Sequence, residues 1–358
     1  MDKPAEKDIR LKQFEEQGGW SNVLSMLFQK QSLSESLASD ALNEVLSGRA
    51  TEAQIAALAA ALRVKGETVD EMSGFVKAMM DNAETIPVSG DIVDTCGTGG
   101  DRSGSINVST MAACVVAGSG AKVCKHGGRA ASSRAGSADV LEELGVAIDL
   151  PAEKVARCVE EAGFGFCFAP RFHPAMRYAA PVRKSLGAPT VFNLLGPLAN
   201  PARANRQVIG IGDSSMAETM LGVLEKNRIV HAMIVYGDDG MDELTTVATS
   251  TIYESRLLET GKYERRVYKI DARDFGIERA TKDELSGGDV QENASHVRSI
   301  LAGEKGAKRD VVVLNAAAGL IIAGKAEDFG DGISMAQEII DSKKALAALD
   351  RLVDISNS

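Results

Sequence analysis

The sequence predicts an α/β protein: a small all-helical N-terminal domain over residues 1–88, then a large α/β domain with a central, mostly parallel sheet over 89–358. Three observations predict it. Residues 19–85 carry helix-start signals and no strand pattern. From residue 91, short β-branched runs, Gly-rich turns and helical segments alternate, which is how a parallel βα sheet is written. A length of 358 residues suits one large domain or two unequal ones.

The elements follow in chain order. After a charged N-terminal arm, Ser32 with Glu35, Thr51 with Gln54 and Thr68 with Glu71 have capping-box spacing, in which side chains satisfy the orphan amides of a helix start. They predict at least three helices. Behind the last, Met72, Phe75, Val76, Met79 and Met80 recur as a helical apolar stripe, explained by packing against a neighbouring helix or subunit. Strands are expected at 92–93, 121–124, 164–168, 207–211 and 231–236, with helices at 109–117, 137–144, 151–162 and 215–227 between them. Segments 245–253 and 263–270 read as a later antiparallel pair, and 335–352 as one amphipathic helix. The chain has no internal repeat or low-complexity segment.

Composition removes several function classes. Hydrophobic residues at 44% and charged ones at 25% are the mix of a globular protein and argue against disorder. A net charge of -10 repels phosphate backbones and anionic membranes, and 16 aromatic residues are too few for a base-stacking surface, so neither nucleic acid nor membrane is an expected partner. The N-terminus lacks a signal pattern and no run of about 18 apolar residues exists. Five cysteines, an odd set without CxxC spacing, indicate neither a disulfide framework nor a zinc site, and a reducing cytoplasm is the expected location.

Four stretches carry the chemistry. In Asp94-Thr-Cys-Gly-Thr-Gly-Gly-Asp101, a strand runs into Gly97, Gly99 and Gly100, and Ser109 and Thr110 stand where a helix begins. Free amides at a helix N-terminus hold phosphate or pyrophosphate; a plain tight turn is the alternative. The pattern is neither a Rossmann fingerprint nor a P-loop. Residues 125–137, from Lys125 and His126 through Arg129 and Arg134 to Ser137, form an open loop that can wrap oxyanions or be simply solvated. The stretch from His173 to Lys184 offers Arg183 as a bidentate partner for a carboxylate. Asp242 and Glu243 are adjacent acids in a turn after a strand, suited to Mg²⁺ beside a phosphate site or, alone, to a solvated turn.

Charge placement ties these together. Windows 102–138 and 162–212 contain no Asp or Glu and carry five and six Lys or Arg, where even spacing of the 50 acids would put about 12. The two windows, 88 residues, carry +11 and leave -21 on the other 270. A local anion site inside an acidic shell is expected.

In combination, GTGGD at 97–101, NVST at 107–110, KHG with RAASS across 125–133, GSAD at 136–139, HPAM with PVRKSLG, TVFNLLGPLANP at 190–201 and DELTT at 242–246 resemble the anthranilate phosphoribosyltransferases, over roughly residues 20–350. The resemblance implies a fold of nucleoside phosphorylase/phosphoribosyltransferase type, with the segment 173–200 added to the helical domain and a hinge between the domains. It implies a homodimer through the helical domain and a pentosyl-transferring glycosyltransferase of tryptophan biosynthesis. Anthranilate and phosphoribosyl pyrophosphate would give N-(5-phosphoribosyl)anthranilate and pyrophosphate. By matching motif, the donor would be bound by Gly97, Gly100, Asp101, Ser105, Asn107, Val108, Ser109, Thr110, Lys125, His126, Gly127, Gly128, Arg129, Ala130, Ala131, Ser132, Ser133 and Ser137. Anthranilate would meet Gly97, His126, Gly128, His173, Met176 and Arg183, with His126 and Arg183 positioning it and no residue acting as a general acid or base. Two Mg²⁺ ions would be held with the donor through Ser109, Asp242 and Glu243.

One position departs from the family pattern. Gly128 stands where KHGNR would have Asn, removing a side-chain amide from the anthranilate side, which means either weaker binding or a changed aromatic acceptor. Two other readings compete. A pyrimidine nucleoside phosphorylase would need more basic phosphate loops, and a non-catalytic nucleic-acid-binding paralogue would need a basic outer face.

Overall fold

The computed structural model describes residues 12–101, 103–130 and 134–358. Its N-terminal helices are α1 (Gly19–Phe28), α2 (Glu35–Leu46), α3 (Glu52–Lys65) and α4 (Val69–Asp81). The capping boxes at Thr51 and Thr68 form, with Gln54 and Glu71 closing them. The Ser32 box does not. Ser34, not Ser32, caps α2 by accepting from Leu37 N, one residue ahead of Glu35. The Met72–Phe75–Val76–Met79 stripe is buried as its spacing demands, and each of these side chains contributes about 2 kcal/mol of apolar burial.

The α/β part holds a seven-stranded sheet in the order β3-β2-β1-β4-β5-β6-β7. Strands β1 (Ile92–Gly97), β2 (Lys122–Gly127), β3 (Phe164–Phe168), β4 (Arg206–Gly210) and β5 (His231–Gly237) run parallel; β6 (Ser250–Leu257) and β7 (Tyr263–Ile270) add antiparallel. Helices α5 (Val108–Gly118), α6 (Ser137–Glu143) and α7 (Ala152–Ala162) connect the first strands. Between β3 and β4 lie α8 (Ala180–Leu186) and α9 (Val191–Leu198), followed after β4 by α10 (Ala217–Lys226). The last four main helices are α11 (Val290–Leu301), α12 (Ala307–Ile322), α13 (Phe329–Asp341) and α14 (Lys344–Ser356).

Three expectations are corrected. The first strand of the antiparallel pair starts at Ser250, because Thr245 and Thr246 sit in a turn where Thr245 N bonds Ser250 Oγ. The 335–352 helix is two helices, broken at Lys343, whose positive φ of 62° no helix interior accommodates. Lys125 and His126 are not in an open loop: they lie at the end of β2, buried at 2% and 5% exposure.

The sheet divides two cores. One face packs on α5–α7 and α11–α14, with Val208 and Met233 pointing into it. The other, through Ile209 and Ile234, is continuous with the N-terminal helices, α8 to α10 included. Val182, Phe192 and Leu195 of the 180–198 helices thus share a core with Leu58 and Phe75. Building outward from β1, the chain adds β2 and β3 on one side and β4 onward on the other. The switch between β1 and β4 leaves a crevice at their carboxyl ends, where such sheets bind ligands.

Candidate functional site

At that crevice β1 ends on Gly97 and β4 on Gly210, paired in register. The Asp242 turn, which follows β5, folds over both. A Cβ on Gly97 would stand 2.4 Å from Asp242 Oδ2, and one on Gly210 would overlap Asp242 O, so only glycine admits the turn. Gly99 N then donates to Asp242 Oδ2 at 2.8 Å, and Asp242 N to Asp101 Oδ2 at 3.4 Å. The expected glycine loop and acid turn, about 140 residues apart in sequence, are one structure.

Three carboxylates converge here. Burial first, then the Asp101 charge, pushes Asp242 up; burial and then Asp242 push Glu243 well up. The Ser109 amide, in the first turn of α5, and Lys125 both favour the charged form of Glu243. Lys125 Nζ itself donates to Thr95 O and to Ser109 Oγ. Buried acids crowded together are costly unless a cation joins them, even beside a helix start that favours negative charge. Hard carboxylate and hydroxyl oxygens of this kind fit Mg²⁺, which commonly takes one or two carboxylates and completes its shell with phosphate oxygens and water. Among the described residues no group of three or more His, Cys, Asp or Glu forms a self-sufficient metal cage.

Among the described residues, some polar atoms along the crevice have no partner. Asn107, the N-cap of α5, donates to Ala135 O at 3.2 Å, while its Oδ1 is buried without a partner, as is Thr110 Oγ1. Ser105 is tied to Ser103 Oγ at 3.1 Å and bridges to Ser286. His126 Nδ1 lies 2.9 Å from Gly196 O; a carbonyl only accepts, so Nδ1 carries the hydrogen and Nε2 keeps a lone pair that is buried and unpartnered. Burial, then neighbouring His173, pulls His126 down to about 3. His173 donates from Nε2 to Ala199 O at 2.9 Å and is pulled by burial to about 4, so both rings are neutral at physiological pH.

The remaining expected residues divide. Gly127, Gly128, Ala130 and Ser137 adjoin the end of β2, with Ala138 N donating to Gly128 O. Ala131, Ser132 and Ser133 lie outside the described residues. Arg129 is engaged elsewhere, by Asp139 at 2.8 Å and Glu142 at 2.7 Å. Met176 packs partly buried against the helical core. Arg183, on α8, is half-buried and has no ion pair among the described residues; burial pulls its guanidinium below the usual value.

The eleven cations of the acid-free windows are therefore not all available. Lys122, Arg129, Arg171 and Arg206 pair with Glu160, Asp139, Glu84 and Asp91, all outside those windows. Lys125 and Arg183 stay without a carboxylate partner among the described residues.

Two further residues, to which the sequence assigned no role, hold the site together. Asp94, fully buried, accepts from His126 N at 3.2 Å and from Asn200 Nδ2 at 2.8 Å; Asn200 also donates to Cys124 O. Together they fix the end of β2 to the strand beside it. An acid inside an apolar strand was the available signal. An open cleft of about 960 Å³ lies at the opposite end of the strands, between Arg206, His231, Glu254 and Phe329, and holds none of the expected residues. The crevice is the better candidate, because Asn107 Oδ1, Thr110 Oγ1 and His126 Nε2 lie buried along it with no partner among the described residues, beside the three carboxylates.

Residues 21–83 match the helical bundle domain of a glycosyl transferase family, and residues 89–346 match its a/b domain. Anthranilate phosphoribosyltransferase of Chloroflexus aggregans is 47% identical over 335 residues, 93% of this chain and 97% of that one. The Rhodococcus jostii enzyme of the same name is 48% identical over 344 residues, covering 94% and 93%. The crystal structure of anthranilate phosphoribosyltransferase from Thermus thermophilus superposes with a TM-score of 0.87 at 39% identity, covering 94% of this chain and 99% of that one. The Saccharomyces cerevisiae enzyme in complex with PRPP and Mg superposes at 0.84 with 26% identity, covering 94% and 98%.

Proposed function

The chain belongs to the anthranilate phosphoribosyltransferase family, and we propose that its crevice moves the 5-phosphoribosyl group of phosphoribosyl pyrophosphate onto the amine of anthranilate. N-(5-phosphoribosyl)anthranilate and pyrophosphate are the products, a step of tryptophan biosynthesis. The observation that carries the reading is the meeting of Asp101, Asp242 and Glu243 with Lys125 and the start of α5. Acids gathered beside a phosphate-attracting helix start are the residues that would hold a divalent cation.

The bond from the anomeric carbon to pyrophosphate breaks as the amine nitrogen bonds that carbon, so positive charge grows on ribose and negative charge on the leaving group. Amides at the start of α5, with Lys125, stabilise the departing charge, in place before the reaction. Ser109, Asp242 and Glu243 would hold Mg²⁺, two ions being proposed, which would supply further positive charge there. Asn107 Oδ1 is placed to accept from a ribose hydroxyl or a water, and Thr110 Oγ1 to donate to a phosphate oxygen or a water. On the acceptor side, Arg183 takes the carboxylate and the His126 Nε2 lone pair accepts from an amine N–H, positioning the nitrogen rather than acting as a strong base. An arylamine is unprotonated at neutral pH and attacks without prior deprotonation; the proton its nitrogen sheds once the carbon–nitrogen bond has formed passes to water or to the departing pyrophosphate. Gly97 and Gly128 stand between the two substrates; His173 and Met176 complete the acceptor side, and Gly100, Ser105, Val108, Gly127, Ala130 and Ser137 the donor side. Arg129 and the segment 131–133 belong to the donor loop in this reading, Arg129 by exchanging its acid partners for phosphate.

The proposed domains are 1–88 with 173–200, and 89–358 otherwise. A homodimer through the helical domain is supported by Phe28 and Val64, exposed at 67% and 80% on α1 and α3. Five free, buried cysteines favour a reducing cytoplasm. Mass spectrometry of a reaction with both substrates should find N-(5-phosphoribosyl)anthranilate and one equivalent of pyrophosphate. Donor hydrolysis alone, or phosphorolysis of a pyrimidine nucleoside, would reject the assignment.

A further inference from the structure

We infer that Asn315 is a positioning residue for the acid pair Asp242 and Glu243, setting the affinity of the site for a divalent cation. The inference rests on the reading that those two carboxylates hold magnesium. Asn315 is the one polar side chain between Val311 and Ile322, in a stretch of α12 that is buried throughout. An amide there must find partners or destabilise the core. It finds them at one place: Leu244 N donates to Asn315 Oδ1 at 2.9 Å, and Asn315 Nδ2 donates to Leu244 O at 2.8 Å. A further bond from Nδ2 to Val311 O at 2.9 Å fixes the amide plane to its own helix.

Leu244 directly follows Glu243 and is itself fully buried. The side-chain amide therefore grips both polar groups of the residue next to the acid pair, as a neighbouring strand would. Asn315 and Glu243 also line the same small cavity, about 10 Å³, with Thr95 and Ser109. Upstream, Gly237 N bonds Met241 O, and Gly99 N bonds the Asp242 carboxylate; downstream, Thr245 N bonds Ser250 Oγ. None of these holds the Leu244 peptide. Asn315 makes the connection between the rigid helix under the sheet and the turn that presents the oxygens, and groups that orient metal ligands typically alter metal affinity by 10–100-fold.

The test is Mn²⁺ uptake in the presence of pyrophosphate, read as protein-bound manganese after equilibrium dialysis against the same Mn²⁺–pyrophosphate buffer. Asn315→Ala should weaken uptake about tenfold and raise the Mg²⁺ requirement of turnover in parallel, with the anthranilate KM within about twofold. Val313→Ala, on the same helix and equally buried, should lower thermal stability and leave uptake unchanged. If Asn315→Ala does not fold, Asn315→Asp carries the same expectation, since it keeps an acceptor for Leu244 N and loses the donor to Leu244 O. Wild-type uptake in these variants, or an equal loss in Val313→Ala, overturns the inference. Should the wild-type protein take up no Mn²⁺ with pyrophosphate, or should Asp242→Asn with Glu243→Gln leave uptake intact, the metal reading itself falls and the inference with it.

Discussion

A methyl group on Gly97 would press to 2.4 Å from the Asp242 carboxylate, whereas one on Gly128 would meet nothing nearer than 4.0 Å. The donor half of the crevice is built from strand ends locked together by close approach. The acceptor half has room, a half-buried Arg183 without an acid partner among the described residues, and a histidine lone pair left open. The contrast teaches where change is tolerated. Pyrophosphate chemistry depends on atoms fixed to a fraction of an ångström, while recognition of the aromatic acid can be retuned by single side chains.

The harshest way to break the contrast is Gly97→Ala, which must push the Asp242 turn away. A loss of about 10²-fold in kcat/KM is expected, with weakened donor binding; steady-state kinetics check it, and near-wild-type values would mean that the turn is compliant. On the other side, Arg183→Ala should raise the anthranilate KM by about 10–100-fold, the value of a charge-assisted hydrogen bond pair, and leave the donor KM alone. A selective loss of donor affinity instead would reverse the assignment of the two halves.

The histidine pair allows a pH test. His126 and His173 titrate near 3 and 4 in the fold, below the ordinary 6.5, so the unfolded chain takes up more protons as pH falls. Their contribution to stability is present above about 6.5 and is lost progressively toward 4. Thermal melting should fall over that window, and His173→Gln should flatten part of the fall. Between pH 6 and 8 neither ring gains a proton, so the anthranilate KM should stay level there if His126 acts only as a neutral acceptor. The mildest change, Gly128→Asn, should lower the anthranilate KM about fivefold, one hydrogen bond's worth, with little change in donor KM or melting temperature. An unchanged or higher anthranilate KM would refute the idea that the missing amide weakens acceptor binding.

The sequence made the parallel sheet and the acid turn readable for physical reasons. β-branched runs between glycine turns have few other uses, and Asp242-Glu243 stood out as adjacent acids. What stayed hidden depended on contacts between distant segments. The capping of α2 by Ser34 rather than Ser32 is a choice between two serines that local spacing does not resolve. The burial of Lys125 and His126 followed from β2 lying inside the sheet, which no property of the KHGGR string announces. Asp94 and Asn200 meet across 106 residues, so their pairing had no local signature. The break at Lys343 was masked because α13 and α14 each bury an apolar stripe, and the two stripes read as one.

The central claim is a cation-dependent transfer from a phosphoribosyl donor to an aromatic amine at the β1–β4 crevice. Anthranilate fluorescence, followed with the purified protein in the presence and absence of phosphoribosyl pyrophosphate and Mg²⁺, tests it most directly. The predicted result is loss of fluorescence only when both are present, abolished by a chelator and restored by Mg²⁺. Steady fluorescence with both present, or equal consumption in the chelator, would contradict it.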